Sequence, residues 1–174
     1  EFRRVLFRSI EWDHYNVFKT ENIYKKQFKK LIEITPKGGE IIYNENDETL
    51  KNLCIKFQNE NIKLIPYTIE KSEIRNKKTY IYNEKNNKIK LKIFGKHNMQ
   101  NLAGAKIICN QLGVKNEEFY RSIISYELPH KRLQIINNNK TKIFKDFAHS
   151  PSKLKATINA VKENYNDKIG RAHV

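Results

Sequence analysis

The residues with the clearest chemical potential lie beside predicted regular elements. Asp13 and His14 follow Ile10, where we expect a strand to end, and this places them where α/β sheets usually bind ligands. Asn98 and Asn101 lie three residues apart in a segment that opens a helix, on one face of its first turn. An asparagine amide offers both a donor and an acceptor, the combination that an adenine edge requires.

Each of these segments also has a purely structural interpretation. His14 could bond to its own loop at the strand end, and Asn98 could cap the helix. Asp146 could form a capping turn ahead of Pro151, and His130 reads more readily as structural. No single segment decides between the two interpretations.

Four segments taken together resemble the motifs of the Mur ligases, which join amino acids or peptides to UDP-N-acetylmuramate using ATP. Their order and rough spacing both match the family pattern. They are Glu-Trp-Asp-His at 11–14, Gly-Lys-His-Asn-Met-Gln-Asn at 95–101, Pro-His-Lys-Arg at 129–132 and Lys-Asp-Phe-Ala-His-Ser-Pro at 145–151. The resemblance covers residues 10–168.

The resemblance implies that the first two segments bind the nucleotide. His14 would help to hold Mg²⁺ beside the phosphates, although Mg²⁺ prefers oxygen ligands and a lone histidine is unusual for it. Asn98 and Asn101 would contact the adenine. Some Mur ligases also carry a carbamylated lysine on the helix after Asp-His; Lys29 and Lys30 lie near that distance, and we assign neither.

The last two segments would complete the site. By resemblance, Arg132 reaches the phosphates, a task that suits a planar guanidinium because it grips phosphate oxygens bidentately. Asp146 would accept hydrogen bonds from the ribose hydroxyls, and His149 would lie at the active cleft. Two positions depart from the family pattern: Gln134 replaces an acidic residue, and Ser150 replaces the second histidine of many muramate ligases.

In the family's reaction the muramoyl carboxylate takes the γ-phosphate of ATP, and the incoming amine attacks the acyl phosphate to form an amide. Electrostatic clamping of phosphate oxygens and positioning drive such chemistry. No G-x-x-G-K-[ST] phosphate loop occurs in the sequence. The family has this loop upstream, with a nucleotide-sugar domain, so we expect a fragment without ligase turnover of its own.

Three functional alternatives stay open. Within the family, the local sequence pattern favours a tripeptide ligase of peptidoglycan recycling over the related alanine-adding enzyme. A folylpolyglutamate-type ligase shares Asp-His and Asp-x-Ala-His-x-Pro. A basic nucleic-acid-binding module is the non-enzymatic alternative, because the formal net charge is +15.

Composition argues against that last alternative and against a membrane protein. The lysines are interleaved with asparagine and isoleucine along the whole chain, so the charge says little about partners. No apolar run approaches the roughly 18 residues of a membrane span.

Cys54 and Cys109 lack metal-ligand spacing and are expected to be buried free thiols. We expect a cytoplasmic protein that binds neither nucleic acid nor membrane.

The elements that would position these residues alternate between helix and strand, which predicts an α/β fold. Asp47 is the expected N-cap of the second helix, and Gly113 the C-cap of the third. Helices are predicted over 21–34, 48–57, 99–112, 117–126 and 152–165. Strands are predicted up to Ile10 and over 41–43, 63–66, 79–82, 89–93, 132–136 and 141–147.

By resemblance, residues 10–130 are the C-terminal half of the central ATP-binding domain, and residues 131–168 begin a Rossmann-like C-terminal domain. Residues 1–9 and 169–174 resemble translated sequencing adaptor, and we set them aside from the fold. Composition supports that choice, because these ends hold four of the seven arginines: Arg3, Arg4, Arg8 and Arg171.

Overall fold

The computed structural model describes residues 4–58, 61–137 and 141–165. The chain divides by packing into two compact units. Unit 1 comprises Glu1–Ile69 and Gln100–Leu112, and unit 2 comprises Glu70–Met99 and Gly113–Val174. The division falls inside one helix, whose first residues count with unit 2 and the remainder with unit 1.

Unit 1 is built on a parallel sheet in the order β1-β2-β3. Its elements are β1 (Arg4–Phe7), α1 (Glu21–Glu33), β2 (Glu40–Asn44), α2 (Glu48–Ile55), β3 (Lys63–Tyr67) and the larger part of α3 (Lys96–Gln111). Ile41 packs in one cluster with Ile32 of α1 and Leu50 of α2. Its neighbour Ile42 packs on the other face with Ala103 of α3. Successive strand residues point to opposite faces, so both faces of the sheet are covered.

Local signals start both helices that follow strands in unit 1. Thr20 caps α1 by accepting a hydrogen bond from the Ile23 backbone N–H. Asp47 caps α2 in the same way, with Leu50 as the donor at 3.0 Å. A side-chain oxygen at this position satisfies a backbone donor that the helix itself leaves unpaired.

Unit 2 combines two small antiparallel sheets with helices. Its elements are β4 (Ser72–Arg75), β5 (Lys78–Tyr82), β6 (Lys88–Leu91), α4 (Asn116–Ile123), β7 (Gln134–Asn137), β8 (Lys142–Lys145) and α5 (Pro151–Tyr165). The sheets have the orders β4-β5-β6 and β7-β8. Phe94, Leu133 and Val161 form part of its core. Gly95 adopts φ +92°, and a Cβ built there would lie 2.5 Å from Ala160 Cβ.

The α/β fold is confirmed, and most predicted elements are present with shifts of a few residues at their ends. One strand prediction was wrong, and one strand was not predicted. The first strand ends at Phe7, not Ile10, and lies within the nine residues that we had set aside. It is defined by parallel pairing with β2. Strand β4 was not predicted, since Ser72-Glu-Ile-Arg75 has only one strongly strand-forming residue.

Other expectations concern the boundaries and ends of the chain. The two compact units describe packing within these residues, so the domain boundary near residue 130 stays a prediction. Residues 169–174 lie outside the described part of the chain. Within the described residues, no helix is both long and apolar enough to cross a bilayer.

Candidate functional site

At the carboxyl edge of the unit 1 sheet, side chains from β2 and β3 hold the segment that leaves β1. Asn44 donates to the carbonyl oxygen of Arg8 at 3.1 Å, and the Tyr67 hydroxyl donates to that of Phe7 at 3.3 Å. Asp47 accepts a hydrogen bond from the Ile10 backbone N–H at 2.9 Å while it also caps α2. The end of β1 and the start of the loop are therefore tied to both other strands of the sheet, β2 and β3.

Asp13 and His14 lie in this loop, as the sequence predicted. Asp13 is only 9% exposed, and its carboxylate accepts the His14 backbone N–H at 2.8 Å. His14 adopts φ +56°, and its carbonyl accepts hydrogen bonds from Val17 and Phe18 at 2.9 Å each. The backbone of His14 thus stabilises the loop, as the structural interpretation required, while the imidazole is exposed.

Burial raises the pKa of two weakly acidic groups of unit 1. It raises the pKa of the Cys54 thiol to about 12, and the nearby Asp47 charge acts in the same direction. Burial also raises the pKa of the Tyr67 hydroxyl to about 12, against a smaller opposing effect of Arg8. Cys54 is a free thiol, as expected, and Cys109 is free but only half-buried.

A complete protein cage for a metal ion is absent from the described residues, where no three His, Cys, Asp or Glu side chains cluster suitably. Asp47 already accepts two backbone hydrogen bonds. An exposed His14 beside a buried Asp13 fits a cation that takes most of its ligands from nucleotide oxygens and water, which is how Mg²⁺ is usually bound.

The two asparagines lie on α3 as predicted, and each has a partner. Asn98 is 5% exposed and donates to the Phe94 carbonyl at 2.8 Å. It does not cap the helix, because α3 begins at Lys96 and an N-cap side chain accepts rather than donates. Asn101 accepts a hydrogen bond from the Arg8 guanidinium at 2.9 Å. We missed Arg8 because residues 1–9 had been set aside.

Arg132 lies in a turn of unit 2, ahead of β7 and not within a strand. Its backbone N–H donates to the Pro129 carbonyl at 3.0 Å. The flanking residues Lys131 and Leu133 adopt φ +63° and +44°. The guanidinium carbon lies over the Phe147 ring, 5.9 Å from its centroid.

The segment before α5 brings three more residues to this region of unit 2. Phe147 donates its backbone N–H to the Lys131 carbonyl at 2.9 Å. The His149 ring contacts the Phe147 ring edge-on, with centroids 5.1 Å apart. Asp146 accepts a hydrogen bond from the hydroxyl of Thr157, which lies in α5 beyond the first turn of that helix. Asp146 therefore does not cap α5.

Unit 2 therefore brings Arg132 and His149 together around Phe147, with Asp146 next in sequence. Phe147 escaped the sequence analysis, although its place between Asp146 and His149 was a signal. His130 is exposed. Lys29 pairs with Glu33 along α1 at 3.4 Å, which gives it an ordinary surface role.

Curated relatives include two ligases, each 27% identical to this chain. The UDP-N-acetylmuramate–L-alanine ligase of Dictyoglomus turgidum aligns over 91% of this chain and 36% of its own length. The UDP-N-acetylmuramate–L-alanyl-γ-D-glutamyl-meso-2,6-diaminoheptandioate ligase of Escherichia coli aligns over 92% and 36%. The chain thus spans just over a third of these relatives.

Solved structures share the fold at low sequence identity. MurF from Acinetobacter baumannii superposes with a TM-score of 0.74 at 14% identity, over 91% of this chain and 37% of its own. An FPGS–AMPPCP–folate complex superposes with a TM-score of 0.72 at 15% identity, over 96% and 43%. At such identities the likeness shows the fold alone.

The family model of the Mur ligase middle domain matches residues 1–109, more than half of the chain. The match includes residues 1–9, which carry strand β1. It also includes the Asp13-His14 loop and both α3 asparagines. The chain therefore belongs to the Mur ligase family.

Proposed function

We propose that this chain is part of an ATP-dependent carbon–nitrogen ligase that joins an amino acid or peptide to UDP-N-acetylmuramate, in peptidoglycan synthesis or recycling. The observation that carries the proposal is the Asp13-His14 loop at the carboxyl edge of a parallel sheet, within a segment that matches the Mur ligase middle domain. Ligands of α/β sheets bind at this edge.

The proposed roles follow from the chemistry of each group. Arg132 binds phosphate oxygens of ATP, because guanidinium donors match them in pairs. His14 would help to hold Mg²⁺, which would supply charge neutralisation at the transferring phosphoryl group. Asp146 accepts hydrogen bonds from the ribose, and His149 lies at the cleft where the acyl phosphate meets the amine.

Asn101 is the stronger of the two candidates for adenine contact. Its amide lies at a partly exposed position, and its present partner, Arg8, is an exposed side chain that can move. Asn98 is 5% exposed and bonded to the backbone, so we propose that it shapes the start of α3 in addition to any contact with the base.

The acceptor is UDP-N-acetylmuramate, and the amine is L-alanine or a tripeptide, since named relatives of both kinds are each 27% identical to this chain. We also propose a cytoplasmic location, where ATP is supplied. Because the +15 charge is spread evenly along the sequence, it gives no reason to propose a nucleic-acid partner.

The test is a ligase assay on a complete protein that contains this chain. Phosphate release would be measured with ATP, Mg²⁺, UDP-N-acetylmuramate and either L-alanine or the tripeptide. We expect His14→Ala to lower kcat/KM at least ten-fold, while His130→Ala, which removes another exposed histidine, leaves it unchanged. Turnover with folate and glutamate, and none with UDP-N-acetylmuramate, would overturn the proposal.

The 174 residues alone are expected to show no ligase turnover, because they contain no phosphate loop. The same assay on this polypeptide tests that expectation. Robust ATP-dependent amide formation by the isolated chain would contradict it.

A further inference from the structure

The turn that carries Arg132 is held in an unusual backbone conformation. Lys131 and Leu133, on either side of the arginine, both have positive φ. A positive φ costs free energy for a residue with a Cβ, so this conformation persists only where the surrounding structure enforces it. Leu133 is 4% exposed and packs with Phe94 and Val161, which anchors the downstream end of the turn.

Phe147 holds the same turn from the other side, by two separate contacts. Its backbone N–H donates to the Lys131 carbonyl at 2.9 Å, and its ring lies under the Arg132 guanidinium. The ring is 57% exposed, so filling the core is not its contribution. Its contacts are instead with Arg132 and with the His149 ring.

The way in which Arg132 is held decides what it can still bind. Among the described residues Arg132 has no carboxylate partner, and Gln134 stands two positions after it. A carboxylate would occupy two of the in-plane N–H donors of the guanidinium. A cation–π contact with an aromatic ring offers those donors no acceptor oxygen, so they stay available to an anion.

We propose that Phe147 is a positioning residue for Arg132, whose guanidinium it holds by its ring so that the N–H donors meet the phosphates of ATP. The identity of the ligand, ATP, rests on the proposed function. The contact between Phe147 and Arg132 does not. The Phe147→Leu and Phe147→Tyr variants keep the backbone hydrogen bond to Lys131. These substitutions therefore test the contribution of the ring alone.

The first experiment follows the Arg132 side chain by NMR in the ¹⁵N-labelled 174-residue chain, with Arg132→Lys to assign its Nε–Hε signal. In Phe147→Leu we expect the ring-current shift of the Arg132 side-chain protons to disappear and the Nε–Hε heteronuclear NOE to fall. Phe147→Tyr should keep both, because it keeps the ring. Tyr126→Leu removes another exposed aromatic ring of unit 2 and should change neither. Unchanged Arg132 signals in Phe147→Leu would overturn the proposal.

The second experiment measures the consequence in the complete protein, with ATP, inorganic tripolyphosphate and adenosine as separate ligands. A cation–π contact at an exposed site corresponds to about a two- to five-fold change in affinity. Phe147→Leu should weaken ATP and tripolyphosphate by that factor, raise KM for ATP and leave kcat and adenosine affinity unchanged. Phe147→Tyr should restore the wild-type values.

The two experiments separate the possible failures. If the wild-type protein binds neither ATP nor tripolyphosphate, the proposed function fails, and the phosphate role of Phe147 with it, whatever the NMR result. If ATP binds and Phe147→Leu weakens adenosine as much as tripolyphosphate, the ring acts on the base or the fold, and the positioning role is overturned.

Discussion

The loop after β1 in unit 1 and the Arg132 turn in unit 2 hold their candidate site residues by different interactions. In unit 1, carboxylates accept backbone N–H groups: the half-buried Asp47 from Ile10 and Leu50, and the buried Asp13 from His14. In unit 2, apolar packing anchors Leu133, and an exposed ring lies under Arg132. Charge-assisted hydrogen bonds are strong when buried, whereas packing depends on volume. Unit 1 should therefore be most sensitive to lost acceptors and unit 2 to altered volume.

The largest effect is expected in unit 2 from Gly95→Ala. The added Cβ would meet Ala160 Cβ at 2.5 Å in a left-handed backbone, and overpacking with positive φ together should cost about 2–5 kcal/mol. Hydrogen exchange of the α5 amides would report it. Gly113→Ala, also in unit 2, has positive φ but nothing within 4 Å, and should cost only about 1–2 kcal/mol. Equal losses in the two variants would contradict a steric cause.

In unit 1 the matching variant is Asp47→Ala. It removes the α2 cap and the acceptor for Ile10, and should lower the free energy of unfolding by about 2–4 kcal/mol. Trp12, the single tryptophan, lies in the affected loop and makes fluorescence a local probe of urea unfolding. Asp47→Asn keeps one acceptor and should lose about half as much. A loss in Asp47→Ala no larger than in Asp47→Asn would break the comparison.

Alkaline pH should weaken unit 1 through its buried hydroxyl. Tyr67 loses its proton near pH 10 when unfolded but near pH 12 when folded. Between these values the unfolded state binds fewer protons, so the free energy of unfolding falls as pH rises. From pH 10 to 11 wild type should lose about 1 kcal/mol more than Tyr67→Phe, followed by Trp12 fluorescence in urea. Parallel losses in the two proteins would show that Tyr67 does not carry the effect.

The smallest effect is expected from Arg8→Ala. Its hydrogen bond to Asn101 is charged, like those of Asp47, but exposed. Solvent competes for exposed partners, so stability should change by less than about 0.5 kcal/mol. The same urea titration measures it. A loss comparable to that of Asp47→Ala would mean that burial is not what gives the unit 1 contacts their strength.

Local sequence signals were sufficient for most elements. Apolar spacing predicted α1, and Asp47 was recognised as the cap of α2 because capping depends on residues three apart. The predicted end of strand β1 was wrong, and its residues were set aside because their composition differs from that of the rest of the chain. What defines it is pairing with β2, of which Val5 opposite Ile41 is an example. Such pairing joins residues distant in sequence and leaves no local signal.

The site shows the same division. The sequence alone supplied the candidate chemistry-bearing residues and, through their order, indicated the Mur ligase family. Only the tertiary structure placed Phe147 under Arg132 and Arg8 against Asn101, because these contacts join segments that are separated along the chain. Residue types and spacing determine which chemistry is available, whereas the packing of distant segments decides which donors and acceptors are already occupied.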